Sequence, residues 1–360
     1  MLQTNAPTLA KARLRHHLEM QSGIIEETVN AYGHRLAYVT GGDVRADQIW
    51  YEMPAVSPGV SVRAIERDLQ RRLGAAARVS RGRDGLRVTV KRPSPPVDLL
   101  TLMQTYNTPS VGAVTAVLGL DALGVPVTWD AVRTGHTLVT GGSAEAKTNL
   151  LQTTAVSLAL ANQPRQIQFL IIQNLVDDKS SWPSQFLTPD YLLRPIVATT
   201  AEAVHALTTI AARLNQAPSA DLKGPRLIVI IDQIENLLET AGYAALAPLI
   251  SLLGTAGLTL LISSQQPQND MLRYCGQRWG TRIVGKAANA AEAASATGLT
   301  NSQAELLKGE GAFLLTPAGA LIARYFQAAT ADQYDLSFTA NFIAQSRLRA
   351  RHGPPQLLAT

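Results

Sequence analysis

One cysteine, Cys275, stands among 360 residues, which excludes an internal disulfide framework and fits a reducing compartment. Charge is sparse as well, with 16% charged residues against 46% hydrophobic, a balance that predicts a packed globular protein. No N-terminal apolar stretch with a cleavage site is present, so no signal peptide is expected and a cytoplasmic location is. A membrane-spanning run is also missing. The nearest approach, residues 244–264, carries no charge but is interrupted by Pro248, Gly254 and Gly257; it reads as a helix, a turn and a buried strand over Leu258–Ser263. Histidine offers no metal pair, because His16 and His17 are adjacent and point to different helix faces.

The charge that is present is unevenly placed. Residues 45–92 hold eleven Lys/Arg against five Asp/Glu, and residues 336–360 hold Arg347, Arg349 and Arg351 with no acid. With a net charge of +5 and a neutral first 44 residues, residues 93–335 carry about −4 by difference. The basic flanks are candidate polyanion-binding surfaces; a solvated arginine-rich helix face is the plainer alternative.

Length predicts two domains. Residues 1–20 read as a basic helix, with a second helix beginning at Ser22. Residues 21–92 read as a small α+β domain: an alternating strand over Asp47–Met53, a helix over Val62–Leu73 bearing Arg63, Arg67, Arg71 and Arg72, and a hairpin of Arg78–Ser80 with Leu86–Val90 about the turn Arg83-Asp84-Gly85. Pro93-Ser94-Pro95-Pro96 makes a stiff connector over residues 93–98. In residues 99–334 strands and helices alternate: strands at Val125–Val127, Thr137–Val139, Ile167–Ile172, Leu227–Ile231, Leu258–Ser263 and Arg282–Val284, and helices to about Ala161, over Thr200–Leu214 and through Leu237. That order predicts an α/β domain with a mainly parallel sheet, covered by helices on both faces. Residues 335–360 form a basic tail.

Within this domain Gly141–Thr148 has the order of a P-loop: apolar strand, glycines, Lys-Thr, helix. In that device backbone N–H groups cradle phosphates, a lysine neutralises their charge and a hydroxyl holds Mg²⁺. Gly141, Gly142, Ala146, Lys147 and Thr148 are therefore candidate ATP-binding residues, with Thr148 toward the metal. Alanine replaces glycine at 146 and stands at 144, where many such loops carry another. If position 144 needs a left-handed backbone, its methyl costs about 1 kcal/mol. A glycine turn leading into an ordinary buried helix is the alternative.

Two further strands end in polar residues. Arg226–Ile231 runs into Asp232-Gln233, and an aspartate there would help hold Mg²⁺ while its neighbour orients and activates water. Gln233 can hold a water but cannot take its proton, so hydrolysis should be slow. Glu235 is the candidate substitute base, although the chain is expected to have entered a helix by then. Leu260–Ser263 leads into Ser264-Gln265-Gln266-Pro267, from which Gln265 could reach a terminal phosphate; an ordinary strand-ending turn is the alternative.

Together these residues resemble the motor domain of the FtsK/SpoIIIE DNA translocases, within the wider HerA/FtsK group. The resemblance is carried by Gly135-His136 before the P-loop strand, Asp232-Gln233 in place of Asp-Glu, Ser264-Gln265-Gln266-Pro267 in place of Thr-Gln-Arg-Pro, Thr281-Arg282-Ile283, and Leu306–Leu314. It extends upstream through Ala55–Val60 and the arginine helix, and covers roughly residues 20–330. It implies a RecA-like P-loop NTPase domain binding ATP and Mg²⁺ and a hexameric homo-oligomer around double-stranded DNA. It also implies ATP sites between subunits with an arginine supplied in trans, for which Arg282 is the candidate and Arg273 and Arg278 are competitors. The departures are the alanines at 144 and 146, Gln233, Gln266, and Gln173-Asn174 where the family has Asp-Pro-Lys; the tail is also short for a sequence-reading winged helix. Two activities follow as expectations: an ATP-driven double-stranded DNA translocase with impaired hydrolysis, or a weakly active or inactive ring serving as a DNA-binding or partner-binding scaffold.

Overall fold

The computed structural model describes residues 6–33, 37–44, 48–54, 61–82, 85–91, 97–105, 114–173, 182, 187, 189–216, 224–241, 243–252, 257–265 and 279–331. The proline connector, Arg273, Arg278, Gln266, Asn174 and the C-terminal arginines lie outside them. The chain divides into two compact units, Met1–Pro96 with Leu120–Val125, and Val97–Gly119 with Pro126–Thr360.

In the first unit α1 (Ala6–Ala31) is one continuous helix where two were expected. Ser22 donates its hydroxyl back to the Glu19 carbonyl at 2.9 Å and so does not cap a new helix. A four-stranded antiparallel sheet follows, in the order β1 (Gly41–Val44), β2 (Gln48–Pro54), β4 (Gly85–Lys91), β3 (Ala77–Arg81). The β3–β4 hairpin forms where the sequence placed it, whereas β1 was not anticipated. Between β2 and β3 lies α2 (Val62–Leu73), whose Ser61 cap accepts the Ala64 N–H and whose end is closed by Gly74 in the left-handed region. Its apolar spacing buries Ile65 and Leu69 against Ile25 and Val29 of α1 and Val79, Val88 and Val90 of the sheet. Arg72 ties the two helices, donating to Glu27 at 2.7 Å and to Thr28 Oγ1 at 2.9 Å.

The second unit is built on a ten-stranded sheet. Its parallel half runs β12 (Thr281–Val284), β8 (Thr137–Thr140), β11 (Leu258–Ser263), β10 (Arg226–Ile231), β9 (Ile167–Ile172). Of these, β9, β10 and β11 are largely apolar runs, as strands covered on both faces require. Beyond β12 the sheet becomes antiparallel through β13 (Ala312–Pro317) and β14 (Arg324–Thr330), then continues to β6 (Thr115–Leu120) and β7 (Pro126–Asp130), with β5 (Val97–Asp98) beside β14. The sheet is therefore mixed: five of the six expected strands occupy the parallel half, the strand expected at Val125–Val127 falls in β7 at the other end of the order, and β6, β13 and β14 were not anticipated.

One face of the parallel half is packed by α5 (Thr200–Gln216), α6 (Ile234–Ala241) and α7 (Tyr243–Leu252), whose Leu207, Ile234, Leu237 and Leu249 meet Leu170, Val229 and Leu260. Pro248 sits inside α7 and does not end it; the cost is one lost backbone donor. Helix α4 (Ala144–Ala161) is buried along most of its length, its threonine hydroxyls at 153 and 154 bonding back to carbonyls of the helix itself. Among the described residues no helix is long and apolar enough to cross a membrane.

Candidate functional site

The strand order places three chain reversals side by side. The loop after β8, the turn after β10 and the end of β11 all lie at the carboxyl edge of the parallel strands, with β11 between the other two. That edge is where ligands bind in open α/β sheets.

The loop after β8 is shaped by its glycines. Gly141 and Gly142 are both left-handed, at φ 70° and 68°. A Cβ on Gly141 would lie 2.8 Å from the Gly285 carbonyl oxygen, so the loop following β12 presses directly on this turn. The Gly142 N–H donates to the Lys286 carbonyl at 2.8 Å and locks that approach. Ser143 then caps α4, accepting the Ala146 N–H at 3.1 Å. Ala144 and Ala146 already belong to the helix, and neither has a positive φ. The expected left-handed penalty at 144 is therefore absent, and inside a helix alanine is favoured over glycine by about 1 kcal/mol.

Lys147 and Thr148 are the fourth and fifth residues of α4. The Lys147 ammonium, with no exposed surface, donates to the Gly141 and Gly142 carbonyls at 3.3 and 3.4 Å. Thr148 Oγ1 donates to Asp232 Oδ2 at 2.7 Å, joining the loop to the end of β10 across 84 positions of sequence. Asp232 is buried and accepts two more bonds, from Ser263 Oγ at 2.9 Å and Trp182 Nε1 at 3.2 Å. Burial pushes the Asp232 carboxyl above its ordinary range, against the pull of its three donors and of Lys147. Burial likewise pushes Lys147 down, opposed by the charges of Glu235 and then Asp232. The two shifts narrow, from both sides, the pH range over which this pair is ionised. A hydroxyl beside a carboxylate is an oxygen-only donor set that fits Mg²⁺.

Gln233 follows with a left-handed backbone, φ 57°, its N–H held by Ser263 Oγ at 2.8 Å. Helix α6 begins at the next residue. Glu235 is in that helix, as the sequence predicted, yet it is turned inward: it is buried and accepts the Gln265 N–H at 2.7 Å and the Ser264 hydroxyl. The Gln265 side chain is exposed at the same edge. The contributions of Ser263, Trp182 and Gly285 went unseen in the sequence. Ser263 reads as the last residue of an apolar strand, and Trp182 and Gly285 stand in stretches without periodicity.

Other candidates lie elsewhere. Arg282, on β12, donates to the Ser295 and Ala296 carbonyls at 3.2 and 3.4 Å, closing the C-terminus of α8 (Ala290–Thr297) of its own chain. His136 is buried beside β8 and accepts the Leu260 N–H on Nδ1 at 3.1 Å, a structural bond. Arg63, Arg67 and Arg71 form one exposed stripe along α2, four residues apart. Arg71 also meets Asp68 at 3.3 Å in an exposed pair, which contributes little. Arg72 is exposed as well, but its guanidinium is engaged with Glu27 and Thr28 of α1.

Residues 99–181 match the FtsK/SpoIIIE family model. The DNA translocase FtsK of Helicobacter pylori is 28% identical over 258 residues, which cover 62% of this chain and 28% of that protein. The Bacillus subtilis DNA translocase SftA is 25% identical over 255 residues, 63% of this chain and 26% of its own length. The chain thus spans just over a quarter of the length of these relatives. Among solved structures, the conjugation coupling protein TcpA of pCW3, in monomer form with ATPγS, aligns with a TM-score of 0.60 at 15% identity, covering 91% of this chain and 99% of that one. The cytoplasmic domain of the Thermomonospora curvata type VII secretion ATPase EccC aligns at 0.56 and 20% identity, over 70% of this chain and 34% of its own. With its altered glycine loop and its Asp-Gln strand end, this chain is similar to the FtsK/SpoIIIE DNA translocases, by family-model match over residues 99–181 and by sequence over about three fifths of its length, and it shares its fold with solved ATPases of this kind.

Proposed function

We propose that this chain is an ATP-driven double-stranded DNA translocase motor, working in the cytoplasm as a hexameric ring with slowed hydrolysis. The observation that supports it most is the joining of Lys147, Thr148 and Asp232 in one buried cluster at the edge of the sheet. Lys147 would neutralise the terminal phosphates, and α4's N-terminal N–H groups would receive them. Thr148 and Asp232 would hold Mg²⁺, which supplies charge neutralisation across the phosphates. Gln265, exposed at the same edge, would meet the terminal phosphate, and a trans arginine would complete the site from a neighbouring copy. Arg282 remains the candidate only if it leaves α8.

The scaffold reading, a ring that binds nucleotide without turnover, is favoured by one observation: the residue after Asp232 is an amide. It differs from the motor in its chemistry and shares the DNA surface.

That surface is the stripe of Arg63, Arg67 and Arg71. Reversing all three to glutamate should weaken double-stranded DNA binding and lower the slope of log affinity against log salt by about 3, one counterion per lost phosphate contact. A titration series between low and moderate salt measures it, and an unchanged slope contradicts the assignment. Arg72 is excluded from this variant because its partners belong to the fold.

A further inference from the structure

Among the described residues, Lys147, Asp232 and Glu235 are the only Lys, Arg, Asp or Glu side chains that are buried. Taking a charge out of water costs several kcal/mol, roughly, unless partners repay it. The first two have tasks in the phosphate and metal chemistry proposed above; Glu235 does not.

A glutamate in the first turn of α6 could as well face solvent. Here the left-handed step at Gln233 shortens the passage from β10 into α6. It brings Glu235 over the end of β11, where a backbone N–H and a hydroxyl fix its Oε1. Its charge is the leading one opposing the burial of Lys147. Glu235 is therefore a carboxylate fixed at the end of β11, bound to the backbone of Gln265 on the same edge of the sheet as Lys147 and Asp232. The residue that follows Asp232, by contrast, has no carboxylate.

We propose that Glu235 supplies the carboxylate that activates water for ATP hydrolysis in place of the residue after Asp232. Water attacks the γ-phosphorus, and its new P–O bond forms as the bond to the β,γ-bridging oxygen breaks. ADP leaves with that electron pair, and the proton of the water passes to Glu235 and then to solvent. The inference rests on the nucleotide-binding reading of the loop, so binding and turnover are measured separately.

The experiment compares the full-length wild-type protein with Glu235→Gln, Gln233→Glu and the double variant. ATPγS affinity is read at equilibrium, and ATP turnover in the presence of double-stranded DNA. Glu235→Gln should keep ATPγS affinity within about threefold while kcat falls about 100-fold, the smaller end of a general base's contribution. Adding Gln233→Glu should restore turnover to the level of Gln233→Glu alone. If Glu235→Gln does not fold, Glu235→Asp, which keeps the charge but withdraws it by one methylene, carries the same expectation. Unchanged turnover in these variants, loss of ATPγS binding in a folded Glu235→Gln, or a wild-type protein that binds ATPγS without hydrolysing ATP would each overturn the proposal. Failure of the wild type to bind ATPγS would instead overturn the nucleotide reading, and this proposal with it.

Discussion

Replacing Lys147 by alanine is expected to weaken ATPγS binding about 10³-fold. The ammonium is wholly buried and bonded to the Gly141 and Gly142 carbonyls, so a phosphate entering the loop meets it in a medium that screens little. Truncating one member of such a desolvated charge contact costs about 2–5 kcal/mol, and about 1.4 kcal/mol is tenfold in affinity. The substitution also leaves Asp232 and Glu235 without the cation whose pKa both hold up. Their mutual repulsion adds to the loss for an anionic ligand. Calorimetric titration of wild type and variant, with melting curves to establish folding, measures it. Equal affinity would mean that Gly141–Thr148 is a capped helix start and nothing more.

The opposite sign is expected at position 233. Gln233→Glu should raise ATP turnover about 100-fold, the smaller end of what a positioned base contributes. The change is nearly isosteric, and the backbone there is fixed independently of the side chain, by φ 57° and the bond from its N–H to Ser263 Oγ. Nothing in the fold has to move to accept a carboxylate. The gain should persist when Glu235 is removed, because two acids in one turn would compete for the same water. Steady-state kinetics at saturating ATP and DNA read the effect. No increase would mean that a missing carboxylate at 233 is not what limits turnover.

The parallel strands were legible because strands covered on both faces leave continuous apolar runs with turn signals at each end. Ile167–Ile172 and Leu258–Ser263 match the structure at both boundaries. The antiparallel half was not legible in the same way. Strand β6 lies beside β14, about two hundred residues later in the chain, and neither local periodicity nor turn chemistry encodes so distant a pairing. Ser22 misled because a serine before acidic residues resembles a helix cap, while its hydroxyl instead bonds within α1. The alanines at 144 and 146 looked costly only while the start of α4 was unknown. Glu235 was correctly placed in a helix, but its inward turn depends on the left-handed Gln233, a non-glycine conformation that residue type does not announce.

The central claim is that a buried lysine, threonine and aspartate make this chain a nucleotide-driven motor on DNA. The measurement that tests it most directly is ATP hydrolysis by the purified protein with and without double-stranded DNA, alongside equilibrium ATPγS binding. Slow hydrolysis that rises when DNA is added is the predicted result. Nucleotide binding with no turnover under either condition would contradict the motor and leave a nucleotide-bound scaffold, and no binding at all would contradict the account of the site.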